Sequence, residues 1–258
     1  MDRPGMRSPS AERDRRLREY SRIIERGSRA FSVLVPIKNV VVLAFKKQWD
    51  LAMSFVRMQA FYNDLAFKGR IFLLEEFMDR YVAVHGTFDY HTRRVVYHLP
   101  GSAHWDWGMK FKSLLPCGVR DRELSLRHPF VAMGREEISK YYIVGISAEG
   151  YCGEDPFYRH GLAHALYHVS PAYRRQADRL LEEWKELDIH PDGAAMNLSR
   201  DVMDDDERQA CLASGTSDWS SLSTPFCVDT PPDPTFKKLL DKHLRAKSTE
   251  IAKQISEI

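Results

Sequence analysis

The chain has 258 residues, 43% of them hydrophobic, and a formal net charge of +2 at pH 7. These values are typical of a globular protein that can bury a substantial core, as one large domain or as a domain with a helical accessory part. The small net charge gives no general attraction to nucleic acid or to an anionic membrane, so neither is expected as a partner. No apolar run reaches the roughly 20 residues that a transmembrane helix needs.

The start of the chain is charged. Residues 1–11 are expected to be disordered, and residues 11–29 show apolar positions at helical spacing, which predicts a surface helix. No apolar segment follows the arginine-rich start, so no secretory signal is expected and a cytoplasmic location is predicted. The cysteines form no C-x-x-C pair and are interpreted as free thiols in a reducing compartment. They are Cys117, Cys152, Cys211 and Cys227.

The next segments predict strands and helices in turn. Short β-branched runs at residues 33–35 and 40–45 predict strands, and residues 50–62 predict an amphipathic helix. A second helix is predicted over residues 72–84, with Gly86 as its C-terminal glycine. Between residues 86 and 134 the sequence is irregular apart from an alternating run at 93–99, and the strongest strand signal is at 141–146.

The second half of the chain is predicted to be mainly helical. Asp155 and Pro156 are a helix-start signal, and Ser170-Pro171 starts another helix that runs to about residue 187. A helix over 201–213, a loop over 214–235 and a lysine-rich C-terminal helix follow.

These elements predict an α+β fold that is helix-dominated and has a small β-sheet. The predicted organisation is a charged N-terminal segment over residues 1–29, a metal-binding domain over 30–215, and a loop with a C-terminal helix over 216–258.

The most informative segment spans residues 159–168. His160 and His164 are four residues apart on a predicted helix, so both imidazoles can face one metal ion. This is the frame of the H-E-x-x-H metallopeptidase helix, but Gly161 stands at the position of the glutamate base. The spacing alone is equally compatible with helix histidines that form local hydrogen bonds. His168 is about 12 Å of helix rise from His160, too far to share a zinc ion, and is expected to orient a ligand or to face substrate.

Several segments resemble a group of uncharacterised zincin-like bacterial proteins. The resemblance covers residues 40–215 in patches. It is carried by HGLAHALY at 160–167, by SPAYR at 170–174 and by DERQAC at 206–211, where this chain has Cys211 in place of a tyrosine. Weaker similarity lies at 55–62 and 72–77.

The resemblance implies a gluzincin-like site in which a carboxylate from a later helix joins the two histidines. Glu207 is the expected third ligand and Asp206 the next candidate. Such a set leaves a coordination position open, as in catalytic zinc sites, and it is also the ligand set of non-haem iron(II) oxygenases. Zinc is therefore the predicted metal, with iron(II) as the alternative. The other interpretation of the acidic run at 204–207 is a solvated helix start stabilised by the helix dipole.

Gly161 removes the usual general base and is expected to open space beside the metal. The candidates for substitute catalytic groups are His168, Tyr167 and Glu154. The predicted function is metal-dependent, non-proteolytic chemistry on a small-molecule or peptide substrate. The alternatives are a non-catalytic pseudopeptidase or binding protein, and a hydrolase with a substitute base.

The segment between residues 86 and 134 is rich in histidine and tryptophan. It is interpreted as a substrate wall over the metal or, alternatively, as an aromatic-packed surface loop. The residues concerned are His91, His98, His104, Trp105 and Trp107. No phosphate-binding glycine loop and no G-x-S-x-G nucleophile elbow occurs in the sequence.

Overall fold

A computed structural model describes most of the chain from residue 31 to residue 244. The described residues are 31–93, 96–111, 126, 130, 133–149, 156–186, 204–215, 220–221, 224–225 and 231–244. The predicted helix over 11–29 lies outside them. So do Glu154, Asp155 and three of the cysteines, Cys117, Cys152 and Cys227.

Four strands form the main sheet and two short strands pair separately. The strands are β1 (Phe31–Ile37), β2 (Val40–Phe45), β3 (Val96–Pro100), β4 (Tyr142–Ser147), β5 (Ser220–Ser221) and β6 (Thr224–Pro225). The helices are α1 (Gln48–Asn63), α2 (Leu74–His85), α3 (Tyr90–Arg93), α4 (Gly101–Phe111), α5 (Arg135–Ile138), α6 (Pro156–Val169), α7 (Pro171–Glu186), α8 (Asp205–Ser214) and α9 (Pro234–Leu244). The predicted α+β, helix-dominated fold with a small sheet is confirmed.

The main sheet is mixed, with strand order β1-β2-β4-β3. β1 and β2 form an antiparallel hairpin whose turn contains Asn39 at φ 66°, a left-handed conformation that asparagine tolerates. β2 runs parallel to β4, and β3 pairs antiparallel with β4. β2 and β4 are buried along their whole length, which explains their continuous apolar sequences.

Helices cover both faces of the sheet. On one face α1 packs so closely that a Cβ on Gly145 of β4 would collide with Phe55 and Leu51. On the other face α6 packs against Val96 and Val144, which alternate with Tyr97 and Gly145 along β3 and β4. Each face thus carries its own apolar core, and the second core continues into α7, α8 and α9.

The helix boundaries follow local signals. α6 begins at Pro156 and α2 ends at Gly86, whose φ is 79°, both as predicted. α8 begins later than the predicted residue 201, because the Asp204 side chain caps it by accepting a hydrogen bond from the Glu207 amide at 2.9 Å. No helix in the described part of the chain is both long enough and apolar enough to cross a membrane.

The prediction of irregular chain between residues 86 and 134 is wrong over 101–111, which form α4. The helix starts at Gly101, where a Cβ would collide with the backbone carbonyl of Ile138. Close packing of the chain, which no local pattern reveals, therefore explains a glycine at the start of a helix. The predicted strand at 93–99 is confirmed over 96–99, which belong to β3, whereas Arg93 ends α3 and residues 94 and 95 lie outside the described residues.

Candidate metal centre

Two histidines of α6 face α8 in the second core. His160 is 0% exposed and His164 is 4% exposed. Alanines on both helices, Ala163 on α6 and Ala210 on α8, are fully buried in the same core. Because these side chains are small, the two helices pack closely and the histidines reach the first turn of α8. The Nε2 atoms of the two imidazoles are 3.1 Å apart.

Glu207 joins the histidine pair from the first turn of α8. Its Oε1 lies 3.5 Å from His160 Nε2, and its Oε2 lies 3.2 Å from His164 Nε2. The side chain of Glu207 is 17% exposed, so the carboxylate is mostly buried but remains accessible to solvent. The structure therefore brings together the three residues that the sequence predicted as ligands, although 43 positions separate His164 from Glu207 along the chain.

The outer nitrogen of each imidazole has its own partner. His164 Nδ1 is 2.9 Å from Asp206 Oδ1, and His160 Nδ1 is 3.4 Å from Ser214 Oγ. Ser214 donates its hydroxyl proton to the Ala210 carbonyl at 2.7 Å, so its oxygen accepts from His160 Nδ1–H. Each Nδ1 thus has an oxygen partner outside the pair and each Nε2 faces inward, which is the arrangement that outer partners impose on metal-binding histidines.

Asp206, the second carboxylate candidate, is itself held in place. Gln209 Nε2 donates to Asp206 Oδ1 at 3.1 Å, and Tyr173 donates its hydroxyl to Gln209 Oε1 at 2.8 Å. Tyr173 and Gln209 are both fully buried. The chain of hydrogen bonds from α7 through α8 to His164 fixes the orientation of that imidazole. Asp206 therefore holds the Nδ1 side of His164 and does not face the other ligand candidates.

The charges of the cluster are strongly coupled. Burial alone lowers the pKa of His164, but the charges and hydrogen bonds of Asp206 and Glu207 outweigh burial and hold that pKa well above its usual value of 6.5. Burial alone raises the pKa of Glu207, but the neighbouring His160 and His164 hold it well below its usual value of 4.5. The centre therefore favours one positive charge between its inward-facing atoms, either a proton or a metal ion.

The donor atoms have the separation that a metal ion requires. Two ligand atoms about 2.0–2.1 Å from one zinc ion, at a tetrahedral angle, are roughly 3.3 Å apart. The observed separations of 3.1, 3.2 and 3.5 Å between His160, His164 and Glu207 are close to that value. The residues present fit a divalent transition metal without rearrangement of the helices.

Two further donors border the centre. The His98 ring on β3 is parallel to His164, with centroids 4.3 Å apart, and its Nδ1 is 3.0 Å from the hydroxyl of Tyr142. On α8, Cys211 Sγ donates to Glu207 Oε1 at 3.4 Å. Donor atoms of His98, His160 and His164 all lie within 4.8 Å of one another, and so do those of His160, Glu207 and Cys211.

Sequence reasoning missed Cys211 as a donor, and it named His98 only as part of a possible substrate wall over the metal. Cys211 carried a usable signal, since it follows Glu207 by four positions, the same spacing as the histidine pair. His98 carried no local signal, because its position depends on the pairing of β3 with β4.

The two described catalytic candidates, His168 and Tyr167, have contacts other than the three proposed ligands. His168 Nε2 is 3.5 Å from the Ser139 carbonyl, and its ring lies 5.2 Å from the Tyr142 ring. Burial lowers the pKa of His168, so the imidazole is neutral near pH 7. Tyr167 donates its hydroxyl to Asp178 on α7 at 2.7 Å. Glu154 lies outside the described residues.

Gly161 does not open space beside the metal, contrary to the sequence-based expectation. A Cβ at this position would lie 3.1 Å from Val96 Cγ1, 3.3 Å from Val144 Cγ1 and 3.9 Å from His98 Cβ. Position 161 therefore faces the sheet, and the glycine lets α6 lie close against β3 and β4.

The predicted substrate wall divides between two places. His98 contacts the histidine pair, whereas Trp107 is buried in the first core and His104 lies beside Phe130. His91 lies near Phe88, with ring centroids 6.4 Å apart. The aromatic residues of this segment mainly pack the opposite side of the sheet, because α4 turns them into the first core.

A phenol from α1 borders the acidic start of α8. Tyr62 is half-buried, and burial, followed by the charges of Asp206 and Asp204, raises its pKa to about 12. Tyr62 thus keeps its proton at neutral pH and remains a hydrogen-bond donor in the field of Asp204 and Asp206.

No family model, curated protein or solved structure matches this chain. The zincin-like resemblance stays a prediction, and the geometry of the described residues is the basis for a functional proposal.

Proposed function

We propose that this protein is a metal-dependent enzyme that holds one divalent metal through His160, His164 and Glu207. Zinc is the first candidate and iron(II) the second. The proposed substrate is a small molecule or a peptide, and the proposed chemistry is other than ordinary peptide hydrolysis. The observation that carries the proposal is the pair of inward-facing Nε2 atoms 3.1 Å apart, closed on one side by Glu207.

The energetic cost of this arrangement supports a functional role. Buried charged networks seldom stabilise a fold more than apolar side chains of similar size would. His160 and His164 nevertheless lie in an apolar core among alanines and leucines. Their outer nitrogens are fixed by Asp206 and Ser214, which is more organisation than helix packing alone requires.

A bound divalent metal supplies Lewis-acid activation of a substrate oxygen or, with iron, redox chemistry. The protein's part is to hold and orient. Asp206 and Ser214 keep both imidazoles turned inward, and the partly exposed Glu207 lies on the side from which a ligand can approach. The protonated Tyr62 is suited to donate a hydrogen bond to a substrate near the start of α8.

The proposal excludes ordinary proteolysis because no carboxylate stands at position 161. Tyr167 is engaged by Asp178, and His168 lies against Ser139 and Tyr142, so neither contact supports a substitute base. The burial of both ligand histidines supports a second candidate, a non-catalytic protein that binds the metal without reacting.

Metal analysis of the purified full-length protein tests the site. We expect about one equivalent of zinc or iron in the wild type, and loss of that metal in His164→Ala and Glu207→Ala. His168→Ala is the matched control, since it removes a histidine of the same helix that lies outside the cluster. A wild type with less than ~0.1 equivalent and no uptake on reconstitution contradicts the proposal, as does a His164→Ala variant that keeps its full metal.

Turnover assays with the reconstituted protein test the enzymatic part. Zinc-loaded and iron(II)-loaded protein is incubated with panels of peptides, esters, amides and phosphoesters, with His164→Ala as the blank. We expect metal-dependent turnover without cleavage of peptide bonds. Peptide hydrolysis by the wild type contradicts the proposed chemistry, and a fully loaded protein that turns over nothing supports the binding protein.

A further inference from the structure

Two helices present donor pairs with the same spacing. His160 and His164 are four residues apart on α6, and Glu207 and Cys211 are four residues apart on α8. Residues i and i+4 lie on one face of a helix, so each helix turns two donors towards the other. The helices pack against each other in the second core, where Glu207 contacts both histidines and Cys211 contacts Glu207.

The position of the Cys211 sulfur fits a fourth ligand. With zinc–sulfur and zinc–oxygen distances of about 2.3 and 2.0 Å, a tetrahedral ion holds its sulfur and oxygen ligands roughly 3.5 Å apart. Cys211 Sγ lies 3.4 Å from Glu207 Oε1, and its distance from the His160 donor nitrogen is within 4.8 Å. Cys211 is 4% exposed, which is the burial expected of a residue that faces the neighbouring helix.

His98 is the competing donor, and its ring orientation disfavours it. The planes of His98 and His164 are 16° apart with centroids at 4.3 Å, so the two rings are stacked. The lone pairs of an imidazole lie in the ring plane. Two stacked rings direct their lone pairs side by side, whereas His160 and His164, with planes 72° apart, direct theirs towards a common point.

We infer that Cys211 is the fourth ligand of the metal and that its thiolate closes the coordination sphere in the resting protein. The inference rests on the proposed metal site and assigns its resting state. On binding, the S–H bond of Cys211 breaks, an Sγ–metal bond forms and the proton passes to solvent, with no oxidation or reduction. A thiolate ligand favours zinc over iron(II) among the candidate metals. With four protein ligands the resting metal has no open position, so a substrate reaches it only after one protein ligand leaves.

X-ray absorption at the zinc edge tests the inference on the full-length protein loaded with one equivalent of zinc. We expect one sulfur neighbour at about 2.3 Å beside nitrogen and oxygen neighbours at about 2.0–2.1 Å. Cys211→Ser is expected to keep zinc and to lose the sulfur neighbour. His168→Ala, the matched control, is expected to keep both.

Each other result overturns the inference in a distinguishable way. Zinc uptake with nitrogen and oxygen neighbours alone in the wild type overturns the role of Cys211 and leaves the metal site standing. A sulfur neighbour that persists in Cys211→Ser assigns the thiolate to another cysteine. Absence of zinc uptake by the wild type removes both the inference and the proposed function. If Cys211→Ser does not fold, the presence or absence of the sulfur neighbour is compared between the wild type and Cys211→Ala.

Discussion

Replacement of Gly161 by alanine tests the claim that this glycine is a packing residue of α6. In an exposed helix interior the change stabilises a protein by about 1 kcal/mol, because glycine is the poorer helix former. At position 161 the new methyl group would lie 3.1 Å from Val96 Cγ1 and 3.3 Å from Val144 Cγ1. Carbon atoms in ordinary contact are about 3.5–4.0 Å apart.

The two valines have little room to retreat. Val96 is 4% exposed and Val144 is 0% exposed, and both are on paired strands of the sheet. Overpacking of a filled core typically costs about 1–3 kcal/mol. Set against the helix gain of about 1 kcal/mol, the expected result for Gly161→Ala is a net destabilisation of up to about 2 kcal/mol. For a chain of this size each kcal/mol lowers Tm by about 2–4 °C.

Chemical denaturation of the metal-free protein measures the effect, with Gly134→Ala as the matched control. Gly134 is the N-cap of α5 with φ −80°, and a Cβ there would meet nothing within 4 Å, so the control carries no overpacking cost and is expected to lose only the preference of an N-cap for glycine over alanine. In a Val96→Ala background the contact at 3.1 Å is lost and the one with Val144 at 3.3 Å remains, so the cost of Gly161→Ala is expected to fall. A Gly161→Ala protein that is about 1 kcal/mol more stable than the wild type would refute the close approach of α6 to the sheet.

Further outcomes follow from the same geometry. Asp206→Asn should weaken zinc binding about 10–100-fold in a chelator competition, because the orientation of the His164 ring is then less fixed. The control Asp205→Asn, in which the altered side chain pairs with Arg208, should leave zinc affinity unchanged. Zinc affinity should rise with pH, because the raised pKa of His164 means that a proton must leave before the metal binds. Calorimetry in two buffers of different ionisation enthalpy should detect this proton, and equal observed heats in the two buffers would contradict its release. In the metal-free protein, the stability contributed by His164 should be complete below pH 6.5 and decline as pH rises. The stability contributed by Glu207 should be complete above pH 4.5 and decline as pH falls. Denaturation midpoints that do not change across these pH ranges would show that the two groups are uncoupled. Gly161→Glu should lower stability without peptidase activity, and a gain of that activity would contradict the placement of position 161 against the sheet.

The local parts of the structure could be predicted because local signals determine them. Pro156 starts α6, and Gly86 ends α2 in a left-handed conformation. The spacing of His160 and His164 places both on one helix face whatever the tertiary structure. Glu207 is different, since only its match to the acidic segment of the zincin-like proteins suggested it, and the packing of α6 on α8 then brings it within 3.5 Å of His160.

The remaining contacts depend on strand pairing and could not be predicted. The His98 side chain meets Tyr142 because β3 pairs antiparallel with β4 in one register. A shift by one residue would turn His98 to the opposite face of the sheet. Gly101 was interpreted as part of an irregular segment because the Ile138 carbonyl that requires it is 37 positions away.

Gly161 and His98 are neighbours where α6 lies on β3. A Cβ on Gly161 would lie 3.9 Å from His98 Cβ, so a larger side chain at 161 would occupy space next to His98. Because position 161 is glycine, α6 lies deep enough on the sheet for His98 to stack on His164. A side chain at 161 would start against Val96, Val144 and His98, so a carboxylate placed there would compete with the His98 imidazole for space. The proposed chemistry therefore depends on groups other than residue 161, and the described side chains beside the proposed ligands include Asp206, Cys211 and His98.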